Sequence, residues 1–312
     1  MPSSPFDCLA EPMDLAALRI PGLNCRIAGD NQGRPQSGTW PTFFIYNSTS
    51  QHLGEHWIMH SQAKLSCASE ILAFRERYRE EMNCQIVHDS IHRRTGWTLI
   101  YVLELNAISV GFGSVAIGGP WKNRPTLLEF YVLPQYRSFS FDLFETLLSV
   151  SGPQFMEIQS NDLLPTVMLH TYAHEIASEK IVFHDKVSTA LAANGATLRR
   201  ISSDEETGAY IERRQGGPAW VLELDGKVVA QGGILFHYNR PYGDIHMEVA
   251  EAFRRRGLGS YLVQELKRAA YGLGSIPCAR CDTTNVPSRR TLQKAGLIPF
   301  AHMLTGVISA GG

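Results

Sequence analysis

Two short apolar stretches of the chain are each followed by a two-residue turn and a second apolar stretch. Residues 102–105 read VLEL and precede Asn106-Ala107 and ISVGFG, while residues 221–224 also read VLEL and precede Asp225-Gly226 and KVVAQG. An Asp-Gly pair between two such stretches is a strong signal for a type I′ turn. Both segments are therefore predicted to form β-hairpins.

The elements that follow the two hairpins come in the same order. Residues 130–137 and 247–254 each begin with a predicted strand that ends in Val. Five residues after that Val comes an Arg, which directly follows an aromatic residue. The further matching pairs are apolar helices at 141–150 and 259–271, short strands at 155–159 and 278–282, and Asn161 and Asn285. Because four matches in one order are hard to obtain by chance, the chain is predicted to hold two copies of one α/β unit.

This repeat divides the chain into three segments. Residues 1–60, with one predicted strand at 42–46, form an irregular lead-in expected to pack on the first domain. The first domain is predicted at 61–190 and the second at 191–312, in line with ~150 residues per domain. A helix is expected over 65–83. Asn194-Gly195, which follows the apolar stretch 187–193, is read as a helix stop at the domain boundary.

Composition narrows the class of protein. The 312 residues hold 29 Lys+Arg against 30 Asp+Glu, a formal net charge of −1, so we expect no nucleic-acid partner. No apolar run approaches the ~20 residues that span a bilayer, and the start lacks the pattern of a secretory signal, so we expect no membrane association. Six Cys in a chain of this length do not form a disulfide scaffold, and the expected location is the cytoplasm.

The candidate chemistry lies in the second copy, where residues 254–259 read RRRGLG before Ser260 and an amphipathic helix. Two glycines at a strand-to-helix turn let backbone N–H groups approach a ligand. Those groups and the positive end of the helix favour an anion, and three arginines add charge-assisted partners for phosphate. A pyrophosphate is the expected ligand. The turn has neither the GK[ST] ending of a Walker loop nor the spacing of a dinucleotide-binding turn.

This region resembles the GNAT superfamily of N-acetyltransferases. The resemblance rests on DIHMEV at 244–249, the RxxGxG run at 254–259, and CDTTNVPSRRTLQKAGL at 281–297, and it covers about 90 residues from 220 to 308. It implies an α/β (α+β) fold of two GNAT-like domains, each a mixed, mostly antiparallel sheet flanked by helices. The first copy resembles a degenerate unit, since its matching turn, RSFSFD at 137–142, has no glycine.

The resemblance also implies roles for individual residues around acetyl-CoA, the expected acyl donor. The strand residues Met247 and Val249 would pair with the pantetheine arm, and Asn285 and Ser288 would contact the coenzyme from the other side of the cleft. The pyrophosphate would be held by Arg254, Arg255, Arg256, Gly257, Leu258, Gly259 and Ser260. An amine of a small molecule or peptide would then attack the thioester directly, without a covalent enzyme intermediate.

Such an attack requires a base, because deprotonating an amine of pKa ~10 at pH 7 costs about 4 kcal/mol. Glu248 is the first candidate and His246 the second, since alternation places both on the strand face opposite Met247 and Val249. Either side chain is also compatible with an ordinary hydrogen bond. Leu292 occupies the position at which many relatives carry a Tyr that protonates the leaving thiolate, so the acid is unassigned.

Other patterns are read as structural. Cys278 and Cys281 form a lone CxxC whose members point to opposite faces of a strand. No metal site is expected from His52, His56 and His60 or from His170 and His174, despite helical spacing. The stretch at 40–46 is read as aromatic packing, and the acidic run at 204–206 as a solvated turn or an attraction for a cationic amine.

Two functions from different classes stay open. The first is an acetyl-CoA-dependent N-acetyltransferase, and the second is a non-catalytic GNAT relative that binds coenzyme A or an acyl-CoA. A third option is transfer of a longer acyl group.

Overall fold

A computed structural model describes residues 59–201 and 217–309. The predicted strand at 42–46, the aromatic stretch at 40–46, His52, His56 and the acidic run at 204–206 lie outside these residues. The described part of the chain ends directly after a long strand.

The N-terminal half begins with a strand and a helix and ends on a long strand. Its elements are β1 (Ser61–Ser66), α1 (Leu72–Met82), β2 (Thr98–Leu105), β3 (Ile108–Ala116), β4 (Thr126–Val132), α2 (Ser140–Ser151), β5 (Phe155–Gln159), α3 (Leu163–Tyr172) and β6 (Ala173–Asp185). Short 3-10 turns occur at Asp89–Arg93, Gly119–Trp121 and Pro134–Phe139.

The C-terminal half repeats this order without a counterpart of α1 in the described residues. Its elements are β7 (Ala196–Arg200), β8 (Ala219–Leu224), β9 (Lys227–Leu235), β10 (Tyr242–Val249), α4 (Leu258–Gly272), β11 (Ile276–Asp282), α5 (Val286–Lys294) and β12 (Leu297–Ile308). Both predicted hairpins are confirmed. Asp225 and Gly226 have φ of 50° and 71°, as a type I′ turn requires at both central positions.

One continuous sheet contains all twelve strands of the described residues, in the order β1-β2-β3-β4-β5-β12-β6-β11-β10-β9-β8-β7. The final strands of the halves are exchanged, because β12 pairs with β5 and β6 pairs with β11, and β6 and β12 pair with each other. The mixed, mostly antiparallel sheet flanked by helices agrees with the predicted fold class. That the two halves share one sheet is a finding that the sequence did not predict.

Each half contains one short parallel contact, and the two strands then separate. β4 pairs with β5 only at Thr126 and Leu127, and β10 pairs with β11 only from Tyr242 to Asp244. Each separation leaves an opening between two adjacent strands, flanked on one face of the sheet by a helix.

Separate apolar cores hold the helices on the sheet. In the N-terminal half, Leu143, Phe144 and Leu147 of α2 are fully buried against β2 to β5. In the C-terminal half, Leu262 and Leu266 of α4 are equally buried against β8 to β10. The i, i+4 spacing predicted for this helix therefore marks its packed face.

Two predicted helical regions differ from the structure. The stretch predicted as one helix over 65–83 contains the end of β1, then a turn, then α1 from Leu72. Lys64 pairs with Val102 and Leu65 with Tyr101, so pairing with β2 overrides the helical propensity of this segment. Residues 187–193 form an extended connection rather than a helix, and Gly195 (φ +77°) turns the chain into β7.

Candidate functional site: an opening between two strands beside a helix N-terminus

The opening between β10 and β11 begins after Asp244 and Cys278, where the parallel pairing ends. On its other edge β10 stays paired with β9 as far as Val249. Ala250 N donates to Val229 O, so by the alternation of an antiparallel ladder the backbone groups of Met247 and Val249 point into the opening. An extended ligand can therefore pair with this edge as an added strand.

The side chains of β10 separate the two faces of the sheet. Met247 and Val249 pack against the α4 core, and Met247 also contacts the core that contains Cys281. His246 and Glu248 are on the opposite face, as predicted. The His246 ring lies close to Gly233, where an added Cβ would stand 2.7 Å from its Cε1.

The turn that joins β10 to α4 has an unusual backbone. Arg255 has φ of +60° and Gly257, the N-cap of α4, has φ of +82°. Residues with a side chain rarely adopt a positive φ, whereas glycine does so at little steric cost. The backbone conformation at position 257 therefore requires a glycine. Left-handed φ at a non-glycine residue such as Arg255 is a local strain of the kind that clusters at ligand-binding turns.

Gly259 meets a packing requirement instead. A Cβ atom there would stand 2.6 Å from Met247 Cε and 3.3 Å from both Thr291 Cγ2 and Val249 Cγ2. The first turn of α4 can therefore lie directly on β10 and beside α5. Gly259 thus brings the helix N-terminus to the edge of the opening.

The N-terminus of α4 has backbone donors without an intrahelical acceptor. The first helical bond runs from Tyr261 N to Gly257 O at 3.1 Å, which leaves the N–H groups of Leu258, Gly259 and Ser260 ahead of it. Gly257 has no side chain with which to cap them. The side chains of Leu258 and Ser260 are buried, so only their backbone groups are available to a ligand. Such a terminus favours an anion.

Arg254 is directed toward the strand rather than toward the helix. Its Nε donates to Val249 O at 3.1 Å, and its Nη2 lies 3.8 Å from Glu248 Oε1, with both side chains about half exposed. In the N-terminal half Arg137 Nε makes the same bond to Val132 O, also at 3.1 Å. The repeated Arg therefore fixes the end of a strand in both halves. At the turn itself, Arg255 and Arg256 provide the nearby positive charge.

Asn285 and Ser288 cap the N-terminus of α5. Asn285 is its N-cap, and its Oδ1 accepts a hydrogen bond from Ser288 N at 3.0 Å. Of the residues predicted to contact the coenzyme, this pair therefore has a visible structural role. Leu292 of the same helix is buried in the core that joins α4, α5 and β11, so it brings no hydroxyl to the opening.

Several polar residues near the opening were not predicted. Lys294 lies beside the turn, since an added Cβ on Gly257 would be 4.0 Å from its Nζ. The i, i+3 spacing of Thr291 and Lys294 was the available signal for this face of α5. On the other face of the sheet, Asp244 Oδ2 lies 3.2 Å from His237 Nε2 and 3.5 Å from Arg280 Nε. An Arg between two buried Cys was the signal there, because buried charges are normally paired.

Burial also affects the thiols of this region. Cys278 and Cys281 are free and buried, and burial raises the pKa of both. Their side chains lie on opposite faces of β11, as the sequence predicts. His170 is on α3 and His174 is on β6, and no group of three metal-binding side chains occurs in the part of the chain that the structure describes.

The equivalent opening in the N-terminal half is filled by side chains. The Tyr78 ring lies 5.5 Å from the ring of Tyr131 on β4, and its hydroxyl donates to Asp162 Oδ2, beyond β5, at 2.6 Å. Gln159 Nε2 donates to Gln85 O, and its Oε1 accepts from Val87 N. The Tyr78 contacts span the gap between the two strands, and the Gln159 bonds join β5 to the segment at 85–87.

A buried charged cluster lies beside this filled opening. Glu129 accepts hydrogen bonds from His92 and Ser114, and its side chain and that of His92 are almost completely buried. Burial alone would raise the pKa of Glu129, but His92, Arg75 and Ser114 lower it to about 2. Burial raises the pKa of Asp162 to about 7, against the effect of the Tyr78 hydrogen bond and with that of the Glu129 charge.

The second copy matches a known protein family. Residues 191–297 match the family model described as the acetyltransferase (GNAT) family. The chain carries a GNAT domain. The match includes β10, the turn, α4, β11 and α5, and it supports acyl transfer as the class of chemistry. No curated protein matches the sequence.

Solved GNAT structures extend the likeness to both halves. A GNAT-family acetyltransferase from Colwellia psychrerythraea is 15% identical and gives a TM-score of 0.63 over 80% of this chain and 100% of its own. A tandem GNAT protein from the clavulanic acid biosynthesis pathway is 13% identical, with a TM-score of 0.50 over 81% and 100%. A GCN5-related N-acetyltransferase from Sphaerobacter thermophilus is also 13% identical, with a TM-score of 0.51 over 81% and 97%. The fold is therefore a tandem GNAT fold.

None of the helices in the described ranges has the length and apolar character needed to cross a bilayer.

Proposed function

We propose that the chain transfers an acetyl group from acetyl-CoA to a primary amine of a small molecule or peptide, in the cytoplasm, with one coenzyme site in the domain at 191–312. The opening between β10 and β11 supports this proposal, because a pairing edge runs directly to an uncapped helix N-terminus. The edge of Met247 and Val249 suits the pantetheine arm. The N–H groups of Leu258 to Ser260 suit the pyrophosphate.

The cations around the turn divide into two groups in this proposal. Arg255, Arg256 and Lys294 neutralise the pyrophosphate, and Arg254 holds the end of the strand. Asn285 and Ser288 shape the other wall of the opening through the N-terminus of α5. The coenzyme thus binds mainly through backbone groups and charge, which fits a ligand that carries phosphates.

The reaction that this site supports is direct aminolysis. The amine nitrogen forms a bond to the acetyl carbon, the carbon–sulfur bond breaks, and coenzyme A leaves as its thiol while the amine gives up a proton. A covalent intermediate would need an enzyme nucleophile. Cys281 is the nearest thiol by register, but burial raises its pKa and so lowers its thiolate fraction.

Glu248 is the proposed base, with His246 second. Both side chains are on the sheet face opposite α4, so an amine that approaches from that face meets them before it reaches the thioester. A positioned base contributes a factor of about 10²–10⁴ to such a reaction. Leu292 is buried and offers no acid, so the leaving thiolate takes its proton from water.

The test is calorimetric titration of acetyl-CoA into the wild-type protein and two charge-reversed variants. We expect one equivalent for the wild type and loss of binding in Arg255→Glu/Arg256→Glu. The control is Lys227→Glu/Arg268→Glu, which makes the same change of charge at two exposed cations of the same half, away from the turn, and should bind normally. Two equivalents, or equal binding by both variants, would contradict the proposed site.

Turnover then separates an enzyme from a coenzyme-binding protein. Glu248→Gln is expected to bind acetyl-CoA like the wild type and to lose at least tenfold in the rate of thiol release with an amine acceptor. Wild-type protein that binds acetyl-CoA but acetylates no amine would favour the non-catalytic alternative, which the buried Leu292 at the expected acid position keeps open.

A further inference from the structure

A cavity of about 370 Å³ lies where the two halves share the sheet. The N-terminal half lines it with the segment from Val87 to Arg94, with Trp121 and Arg124, and with Glu157 of β5. Glu179 of β6 adds to the wall, and the C-terminal half provides His237 and Arg280. Both halves are therefore needed to form this cavity.

The cavity adjoins the proposed coenzyme site through Arg280. Arg280 is two residues beyond Cys278 on β11, and His246 is two residues beyond Asp244 on β10, so the two stand at the same level on either side of the opening. Both side chains are on the face opposite α4, as alternation requires. A molecule in the cavity therefore reaches the opening from the face that Glu248 and His246 occupy.

Two of the arginines in the cavity wall are available to an anion. Arg94 stacks on the Trp97 ring at 4.5 Å and Arg124 on the Phe155 ring at 4.2 Å. In residues 59–201 and 217–309 neither has a carboxylate within ion-pair distance, although the charge of Arg124 acts on Glu157 at longer range. Stacking fixes the plane of a guanidinium and leaves its N–H edge free, which is how arginine binds a carboxylate through two hydrogen bonds. Arg280, in contrast, is held by Asp244.

The two carboxylates of the cavity wall, like its arginines, differ in whether they already have a partner of opposite charge. Glu157 Oε1 lies 3.1 Å from His88 Nε2, and its Oε2 accepts from Trp121 Nε1 at 3.1 Å. Burial would raise the pKa of Glu157, but these partners and Arg124 lower it to about 2, so it is an anion that is already neutralised.

Glu179 is the carboxylate that is available to a ligand. It is the extra residue of a β-bulge, because Met303 pairs with Lys180 and Leu304 with Ser178. A bulge redirects a side chain that would otherwise follow the alternation of the strand. Its side chain is exposed and has no ion pair to a cation among the residues that the structure describes.

We propose that this cavity binds the acyl acceptor, and that the acceptor carries a carboxylate as well as its amine, as amino acids do. The carboxylate is bound by Arg94 and Arg124, while Glu179 stabilises the ammonium group before it loses its proton at the opening. This inference rests on the proposed acetyl transfer. An amine without a carboxylate would leave Arg94 without an anion and Arg124 with only the more distant charge of Glu157.

The test uses pairs of acceptors that differ only in the α-carboxylate: lysine and cadaverine, histidine and histamine, tyrosine and tyramine. With acetyl-CoA as donor, thiol release gives kcat and KM for each. We expect kcat/KM to be at least tenfold higher for the amino acid in at least one pair. Equal values within every pair, a preference for the decarboxylated amines, or turnover of none of the six would overturn the proposal.

Variants then assign the preference to the two arginines. Arg94→Ala/Arg124→Ala is expected to raise KM for the preferred amino acid at least tenfold and to change kcat less than twofold. The control is Arg93→Ala/Lys122→Ala, which removes two exposed neighbouring cations outside the cavity wall and should leave KM unchanged. Arg94→Glu should shift the preference toward the decarboxylated amine of the same pair, a gain that a misfolded protein cannot show. An unchanged KM in the first variant would overturn the assignment.

Titration of acetyl-CoA into the same proteins separates this inference from the proposed function. If the wild type binds acetyl-CoA but does not distinguish the members of any pair, the acceptor proposal fails and the coenzyme site stands. If the wild type does not bind acetyl-CoA, the proposed function fails. The cavity is then tested by titrating lysine and cadaverine directly, and binding of lysine alone, lost in Arg94→Ala/Arg124→Ala, would support it, whereas any other result would overturn it.

Discussion

The two halves of the sheet have the same backbone plan and use it differently. In both, an Arg five residues after a Val returns to the carbonyl of that Val, with Nε to O at 3.1 Å. In the C-terminal half the following turn contains Gly257 and Gly259 and leads to uncapped N–H groups. In the N-terminal half the equivalent positions are Ser140 and Asp142, and no residue from Pro134 to Ser140 has a positive φ.

The openings differ in the same direction. Beside β4, the Tyr78 hydroxyl bonds to Asp162 across the gap, and Gln159 bonds to the backbone of 85–87. Beside β10, the backbone of Met247 and the N–H of Val249 face the opening, while the Val249 carbonyl accepts from Arg254. One copy thus uses its polar residues for its own stability, and the other leaves them available for a ligand. The hydrogen bond from Arg to Val is common to both because it serves the fold.

The largest effect is expected from the equivalent positions Glu129 and His246, each three residues before its Val. Glu129→Ala leaves His92 without its buried anion, whereas Arg75 keeps its ion pair with Asp89. Removing one partner of a buried pair costs about 3–5 kcal/mol. His246→Ala should cost less than half as much. Urea unfolding of both variants measures the difference, and equal losses would contradict the assignment of stability to one half and ligand binding to the other.

A smaller effect is expected from Asp162, whose folded-state pKa of about 7 is above its ordinary value of 3.8. The folded state holds this proton more tightly than the unfolded state. The free energy of unfolding that Asp162 contributes is therefore lost as pH rises from about 4 to about 7. Asp162→Asn should remove about 1–2 kcal/mol of that loss, since the site is partly solvated.

Thermal unfolding of wild type and Asp162→Asn from pH 4 to pH 8 checks this prediction through the difference between the two curves. The variant should gain stability relative to the wild type toward pH 8 and match it near pH 4. A constant difference over this range would mean that Asp162 ionises at its ordinary pKa in the folded protein.

The smallest effect is expected from Lys294, at the proposed coenzyme site. Lys294→Ala should weaken acetyl-CoA binding about fivefold at low salt, or about 1 kcal/mol, and less at high salt because the charge is near the surface. Lys122→Ala, which removes an exposed Lys of the N-terminal half, is the control for net charge. Equal affinities for the two variants in a calorimetric titration would place Lys294 outside the site.

The sequence predicted the features of this fold that have local causes. The Asp225-Gly226 turn, the packed face of α4 and the equivalent positions of Arg137 and Arg254 follow from short patterns of residue type. The face of His246 and Glu248 followed from alternation along one strand. The placement of the acetyl-CoA contacts stays a prediction, since it came from the resemblance to GNAT proteins.

What the sequence did not reveal depends on contacts between distant segments. The first part of the predicted helix over 65–83 is a strand because β1 (Ser61–Ser66) pairs with β2. Glu179 faces the cavity only because β6 has a bulge opposite β12, and Arg280 acquires Asp244 as a partner only once β10 and β11 align. No local pattern encodes such pairings, since each involves a partner far along the chain.

The exchange of β6 and β12 has a consequence for how the chain is made and how it can be divided. During synthesis β5 emerges long before β12, so the edge of β5 that pairs with β12 has no partner until Leu297–Ile308 has left the ribosome. A fragment cut at the limits of the family match, 191–297, would lack both β6 and nearly all of β12 and would expose an edge of β11 to intermolecular pairing. The exchange also makes the two halves depend on each other, because deleting either one removes a strand from the sheet of the other.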